Sequence, residues 1–200
     1  MDSPLNAEQA SWLSLMDSSA HSLLALLNDI LDLSRIEAGK LDIEHTRFDL
    51  HRALQDASGP HAEQARAKPL SFQLVLHPDL PQWVMGDPGR LGQVVGNLLS
   101  NALRHSPDDA DVKVAIEKKG AAVALCLTNT GNTISADVLP RLFDRFFRVD
   151  KSRSHPDSDG AGLGLSITQA IMAAHGGSVT ASSSYGVTTF CLMFPGSVAD

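Results

Sequence analysis

The chain has 200 residues, enough for one compact domain plus an extra element. Its 43% hydrophobic content excludes a disordered chain, and its formal net charge of -7 argues against general nucleic-acid binding, which needs clustered Lys and Arg. No apolar run reaches the length of a membrane span, since the richest stretch, Leu23 to Ile36, is broken by Asn28, Asp29, Asp32, Ser34 and Arg35; Met1-Asp2-Ser3-Pro4 has no signal-peptide pattern.

Glu8 to Glu37 contains neither Gly nor Pro. Leu13, Met16, Ala20, Leu23, Leu27 and Ile30 recur by threes and fours, and Leu24, Leu26, Leu31, Leu33 and Ile36 widen the stripe. This predicts one long amphipathic helix, stopped by Gly39. Such a stripe needs a partner. It belongs either to the core of the following domain or to one arm of a helical dimerisation hairpin. The second reading is preferred because Gly39-Lys40 sets the helix apart, which divides the chain into residues 1–40 and 41–200.

The remainder alternates between strand and helix patterns. Leu41 to Ile43 and Phe48 suggest a short edge strand, and Asp49 to Ala65 a helix weakened by Gly59-Pro60. Leu70 to Leu76 alternates as a strand. Asp87-Pro88 opens a helix to His105, with Asp87 at the N-cap and Pro88 in the first turn. Asp111 to Glu117 and Ala122 to Thr128 form a hairpin, Val138 to Phe146 a short helix, and Arg148 to Gly160 a polar loop. A helix from Gly164 to His175 precedes a last hairpin, Ser178 to Ser182 with Thr188 to Phe194. The expected fold is α+β: an α/β sandwich of a mixed sheet with helices on one face, preceded by one long helix. Cys126 and Cys191 lie in apolar strand-like runs. They could pair, but two buried reduced thiols are expected.

Three local patterns carry chemistry. Asn97 and Asn101 are four apart in an otherwise apolar helix, so they share a face, where a carboxamide oxygen can hold Mg²⁺ beside a triphosphate; Arg104 follows one turn later. Taken alone, two solvent-facing or sheet-bonded asparagines explain them equally well. Asn129 and Gly131 end an apolar strand, where a short polar side chain can meet the edge of a base and a glycine lets the backbone approach the ring; alone, Asn-x-Gly is most often a turn. Gly160-Ala161-Gly162-Leu163-Gly164-Leu165 runs directly into a helix and can cradle a phosphate at its N-terminus, or serve as a flexible linker. It is neither a dinucleotide fingerprint, for no strand precedes it, nor a P-loop, for no Gly-Lys-Ser/Thr follows.

In this order the pieces resemble the nucleotide-binding domain of sensor histidine kinases. Asp87 to His105 is similar to the N box, Asn129-Thr130-Gly131 to the first glycine box, Leu142 to Arg148 to the F box and Gly160 to Leu165 to the second glycine box. Leu26 to Lys40 resembles the second helix of the dimerisation and phosphotransfer domain, in the manner of hybrid kinases, while Leu139 to Asp150 is similar to heavy-metal sensor kinases. The resemblance implies ATP or ADP with Mg²⁺ on Asn101 and Asn97, phosphate or ribose contacts from Arg104 and His105, and adenine recognition by Asn129 in place of the usual Asp. It also places Gly131, Ile134, Phe146, Arg148, Lys151, Gly160, Gly162, Leu163, Gly164, Leu165 and Thr188 around the nucleotide, with a lid from about Arg148 to Gly160. Partners implied are a response regulator receiver domain and a second copy of the chain through the first helix, in the cytoplasm.

Two departures stand out. Val187 replaces the glycine of the third glycine box and is expected to crowd the nucleotide, although Thr188 and Phe190 remain. None of the eight histidines has the acceptor context, a His followed by an acidic residue. Asp2 to Gln9 looks like the turn between the hairpin helices, so the chain is expected to begin after the acceptor helix and to be incompetent for self-phosphorylation. The alternative reading is a nucleotide-free interaction module.

Overall fold

The computed structural model describes residues 6–149 and 161–195. Helix α1 (Ala7–Glu37) opens with a reciprocal cap: the Gln9 N–H donates to Asn6 Oδ1 at 2.8 Å, and the Asn6 N–H to Gln9 Oε1 at 3.0 Å. It closes where Gly39 takes φ +62° and the Lys40 N–H reaches back to the Arg35 carbonyl at 2.8 Å, a left-handed turn that suits glycine.

Strand β1 (Thr46–Asp49), helix α2 (Leu50–Arg66), strands β2 (Ser71–Leu76) and β3 (Trp83–Gly86), helix α3 (Pro88–His105) and the hairpin β4 (Asp111–Lys119) and β5 (Ala122–Thr130) follow. A short 3-10 helix (Leu139–Phe143) stands where a longer helix to Phe146 was expected. Helix α4 (Gly164–Ala174) and strands β6 (Ser178–Ser184) and β7 (Val187–Phe194) complete the described chain. Helix α2 runs unbroken through Pro60, although proline in a helix interior costs about 3 kcal/mol. Gly59 and Pro60 lie on its exposed side, while Leu50, Leu54, Ser58 and Ala65 bury the opposite side, chiefly against α3.

The main sheet has the order β2-β4-β5-β7-β6. β2 pairs with β4 in parallel and the other pairs are antiparallel. β1 and β3 form a separate antiparallel ribbon, Phe48 opposite Val84. The α+β expectation therefore holds. Strand alternation sends Val112, Val114, Ile116, Leu125, Leu127 and Leu192 toward the helices, where they meet Leu98 and Leu99 of α3 and Ile167 and Ile171 of α4.

The outer face of the sheet holds a correction. Cys126 and Cys191 sit directly opposite each other on β5 and β7 and are joined by a disulfide, not left as two thiols. Their Cα atoms are 4.2 Å apart, slightly closer than the usual disulfide span.

The C-terminal half of α1 docks on the domain through a polar clasp. Arg90 Nη1 donates to Asp32 Oδ2 at 2.9 Å, and Gln93 Nε2 donates to the same oxygen at 2.7 Å. Asp32 is only 7% exposed. Arg145 pairs with Glu37, and Leu33 and Ile36 pack against the core. The opposite face of α1 is bare: Leu13, Met16, Leu23, Leu27 and Ile30 are 49–66% exposed.

Candidate functional site

Helix α3 supplies one wall. Asp87 Oδ1 accepts the Arg90 N–H at 2.9 Å and its Oδ2 accepts the Glu44 N–H at 3.1 Å, which fixes both the start of the helix and its seat on the preceding chain. With Leu91, Val94, Val95, Leu98 and Leu99 buried, the helix turns Asn97 and Asn101 to a half-buried face and leaves Arg104 and His105 exposed.

Asn97 Nδ2 donates to the Gly164 carbonyl at 3.0 Å, so it ties α3 to the first residue of α4. A Cβ at Gly164 would meet Asn97 Cγ at 3.3 Å, and glycine permits this close approach. The N-cap residue of α4, Leu163, gives no side-chain hydrogen bond to the first N–H groups of the helix. Gly162 takes φ +72°, and a Cβ there would lie 2.9 Å from the Phe147 carbonyl oxygen. Phe146 donates its N–H to the Gly162 carbonyl at 3.0 Å and itself sits at φ +60° with 62% of its surface exposed. A non-glycine residue held there costs of order 1–3 kcal/mol, and such outliers cluster at functional sites. The F-box turn and the second glycine box are thus one packed unit.

The floor comes from the sheet. Asn129 of β5 and Thr188 of β7 are register partners, 6% and 5% exposed, on the face toward the helices. Asn129 Nδ2 lies 3.3 Å from Ser106 Oγ and 3.5 Å from the Thr130 carbonyl. The amide end is thus engaged, and Oδ1 is the end left to accept. Thr188 Oγ1 is 2.9 Å from Ser183 Oγ, which accepts the Ile134 N–H at 2.9 Å. Gly131 is pinned through its N–H to the Gly186 carbonyl at 2.8 Å, and a Cβ on it would meet Pro107 Cδ at 3.2 Å and the His105 carbonyl oxygen at 3.3 Å.

The structure brings together Asn97 with Gly164, Phe146 with Gly162, Asn129 with Thr188 and Ile134, and Gly131 with the end of α3. Leu163 is buried, and Leu165 packs against the core. Asn101 stands one turn beyond Asn97, and Arg148 is exposed after the F-box turn. Lys151, Gly160 and most of the expected lid lie outside the described residues. Ser106 and Ser183 are contributors that no motif reading found; serines in a loop and a strand carry no signal until the register is known.

Val187 does not crowd this site. Thr188, Phe190 and Leu192 point toward the helices, so Val187 points to the outer face, opposite Thr130. Among the described residues no group of three or more His, Cys, Asp or Glu is placed to hold a metal ion. No helix among them is long and apolar enough to cross a membrane.

Residues 86–197 match the family model of histidine kinase-, DNA gyrase B- and HSP90-like ATPases. The sensor histidine kinase TrcS of Mycobacterium tuberculosis is 38% identical over 199 residues, covering 97% of this chain and 38% of TrcS. The signal transduction histidine-protein kinase BarA of Escherichia coli is 34% identical over 181 residues, covering 88% of this chain and 20% of BarA. The chain therefore spans well under half the length of these relatives. Full-length ShkA in complex with AMPPNP superimposes with a TM-score of 0.81 at 27% identity, over 98% of this chain and 41% of ShkA. The mycobacterial sensor histidine kinase MprB gives 0.66 at 26% identity, over 77% of this chain and all of that one. The chain belongs to the histidine kinase-, DNA gyrase B- and HSP90-like ATPase family, and within it carries the catalytic domain of two-component sensor histidine kinases.

Proposed function

We propose that this chain binds ATP or ADP with Mg²⁺ between α3 and the start of α4, and supplies the phosphate-donating half of a protein-histidine kinase. The observation that carries the reading is the Asn97–Gly164 hydrogen bond, which sets a carboxamide pair beside an uncapped helix N-terminus. Asn129 Oδ1 accepts the adenine amino group and Thr188 supports the same edge. The first N–H groups of α4, after Gly162 and Gly164, take phosphate oxygens, with Arg104, His105 and Arg148 at the exposed rim. Asn101, with Asn97 beside it, fits Mg²⁺, a hard cation that keeps several waters and uses neutral oxygens next to phosphates; it would neutralise charge on the leaving diphosphate.

The transfer moves the γ-phosphoryl group to an imidazole nitrogen: the new P–N bond forms as the bond to the β,γ-bridging oxygen breaks, and ADP leaves. Such chemistry needs positioning and charge neutralisation more than a protein nucleophile. A glutamate able to activate water is absent at Asn97, so hydrolysis is slow. No histidine of this sequence has an acceptor context, so the acceptor is supplied by a segment beyond these 200 residues or by another chain. The bare stripe of α1 associates with a second copy in a helical bundle, and a response regulator receiver domain takes the phosphoryl group onward. The cytoplasm is the expected location.

Calorimetric titration with AMPPNP and Mg²⁺ tests the reading. Saturable binding is expected, and Asn101→Ala weakens it about tenfold or more. No heat and no thermal shift at millimolar nucleotide overturns it. Incubation with an acceptor-bearing helical hairpin and radiolabelled ATP should label the hairpin and not this chain.

A further inference from the structure

The far pole of the domain holds a second concave feature. Between the β1–β3 ribbon, the first turns of α2 and α3, and the ends of β5, β7 and α4 lies a cavity of about 160 Å³, open to solvent on one side. Its walls include Leu54, Val84, Leu91, Ile116 and Leu125, all at most 9% exposed, together with Phe194. The same three elements that frame the nucleotide cleft reach it from their other ends: α3 with Leu91 here and Asn101 there, β5 with Leu125 here and Asn129 there, α4 with His175 here and Gly164 there. Leu91 and Asn101 are ten residues apart on one helix, about 15 Å, so the cavity is separate from the cleft.

The chemistry of the lining narrows the occupant. Asp87 borders the cavity, one oxygen accepting the Arg90 N–H and the other the Glu44 N–H, and its negative charge disfavours an anionic ligand. His45 stands at the exposed mouth and most of the remaining lining is apolar, which penalises a charged ligand. His175 Nδ1 lies 2.8 Å from the Ile171 carbonyl, which keeps the proton on Nδ1 and makes Nε2 an acceptor. Its ring stands edge-to-face with Phe194, centroids 6.1 Å apart. A cavity of about 150 Å³ lined by Leu, Ile and Phe holds benzene. We infer that this cavity is a binding site for a small, uncharged, single-ring aromatic molecule bearing one hydroxyl, the ring between Leu91, Leu125 and Phe194 and the hydroxyl donating to His175 Nε2.

The test uses the full 200-residue chain, isotopically labelled, titrated with phenol and in parallel with benzoate. Phenol should produce saturable shifts at Val84, Leu91, Leu125 and Phe194, and benzoate should bind about tenfold more weakly or less. Val123→Phe and Met85→Phe, both on the lining, should each cut phenol affinity by a similar factor with the rest of the spectrum unchanged. The Met85 variant, at a more exposed position, serves if Val123→Phe does not fold. His175→Phe should retain binding of benzene but lose the preference for phenol. The inference is overturned by unsaturable shifts up to tens of millimolar phenol, by equal binding of benzoate, by shifts at Asn129 and Gly164 instead, or by wild-type affinity in both folded filling variants. Each of these readouts is independent of nucleotide binding.

Discussion

Helices α1 and α3 carry the same kind of leucine-rich helical repeat and meet opposite fates. In α3, Leu91, Leu98, Leu99 and Leu103 are at most 8% exposed, packed between α2, α4 and the sheet. In α1, Leu13, Leu23, Leu27 and Leu31 are 49–66% exposed, and the helix is held instead by Leu33, Ile36 and the Asp32–Arg90–Gln93 clasp on its other side. Periodicity reports that a face wants burial. It does not report whether the partner is in the same chain.

Four measurements sharpen or break this contrast. Leu98→Ala, at a position with no exposure, should cost about 2–5 kcal/mol in urea unfolding, as the cavity it leaves cannot fully collapse. Asp32→Ala removes the charged partner of Arg90 and Gln93 and should cost about 1–3 kcal/mol, with hydrogen exchange in α1 rising while that in α3 stays slow. Acid should act on α3's packing before α1's exposed face. Burial lowers the pKa of His61 below its ordinary 6.5, partly opposed by a Gln64 hydrogen bond; its Nδ1 is buried without a hydrogen-bond partner, and its Nε2 faces Gly96 of α3. The unfolded chain then binds more protons than the folded one, so this stability contribution is present above about pH 6.5 and falls as pH drops below it. His61→Gln should flatten that slope in urea titrations between neutral and mildly acidic pH. Smallest on stability is Leu27→Ala, expected within about 0.5 kcal/mol of wild type. The same substitution should weaken self-association by sedimentation. A large loss of monomer stability would place the partner of α1 inside the chain and end the contrast.

What was legible followed from local rules. Asp87-Pro88 announced the start of α3, Gly39 the end of α1, and the i, i+4 spacing of Asn97 and Asn101 their common face. What was not legible depended on register and distance in sequence. Strand β3 is four residues long and exists because it meets β1 nearly forty residues earlier. Pro60 signalled a break that packing on α3 overrode. The alternation from Phe190 back through Thr188 could have turned Val187 outward from sequence alone, but the pairing of Cys126 with Cys191 appears only once β5 and β7 lie side by side.

That bond has a topological consequence. Cys126 and Cys191 are 65 positions apart, and the covalent loop they close contains Asn129, the F-box turn, the second glycine box, α4 and Thr188. Every residue proposed above for the nucleotide, apart from those of α3 and its C-cap Ser106, lies between two welded strands. A single proteolytic cut anywhere in that loop leaves one molecule of unchanged mass but for the added water, and the two fragments part only when a reductant is added.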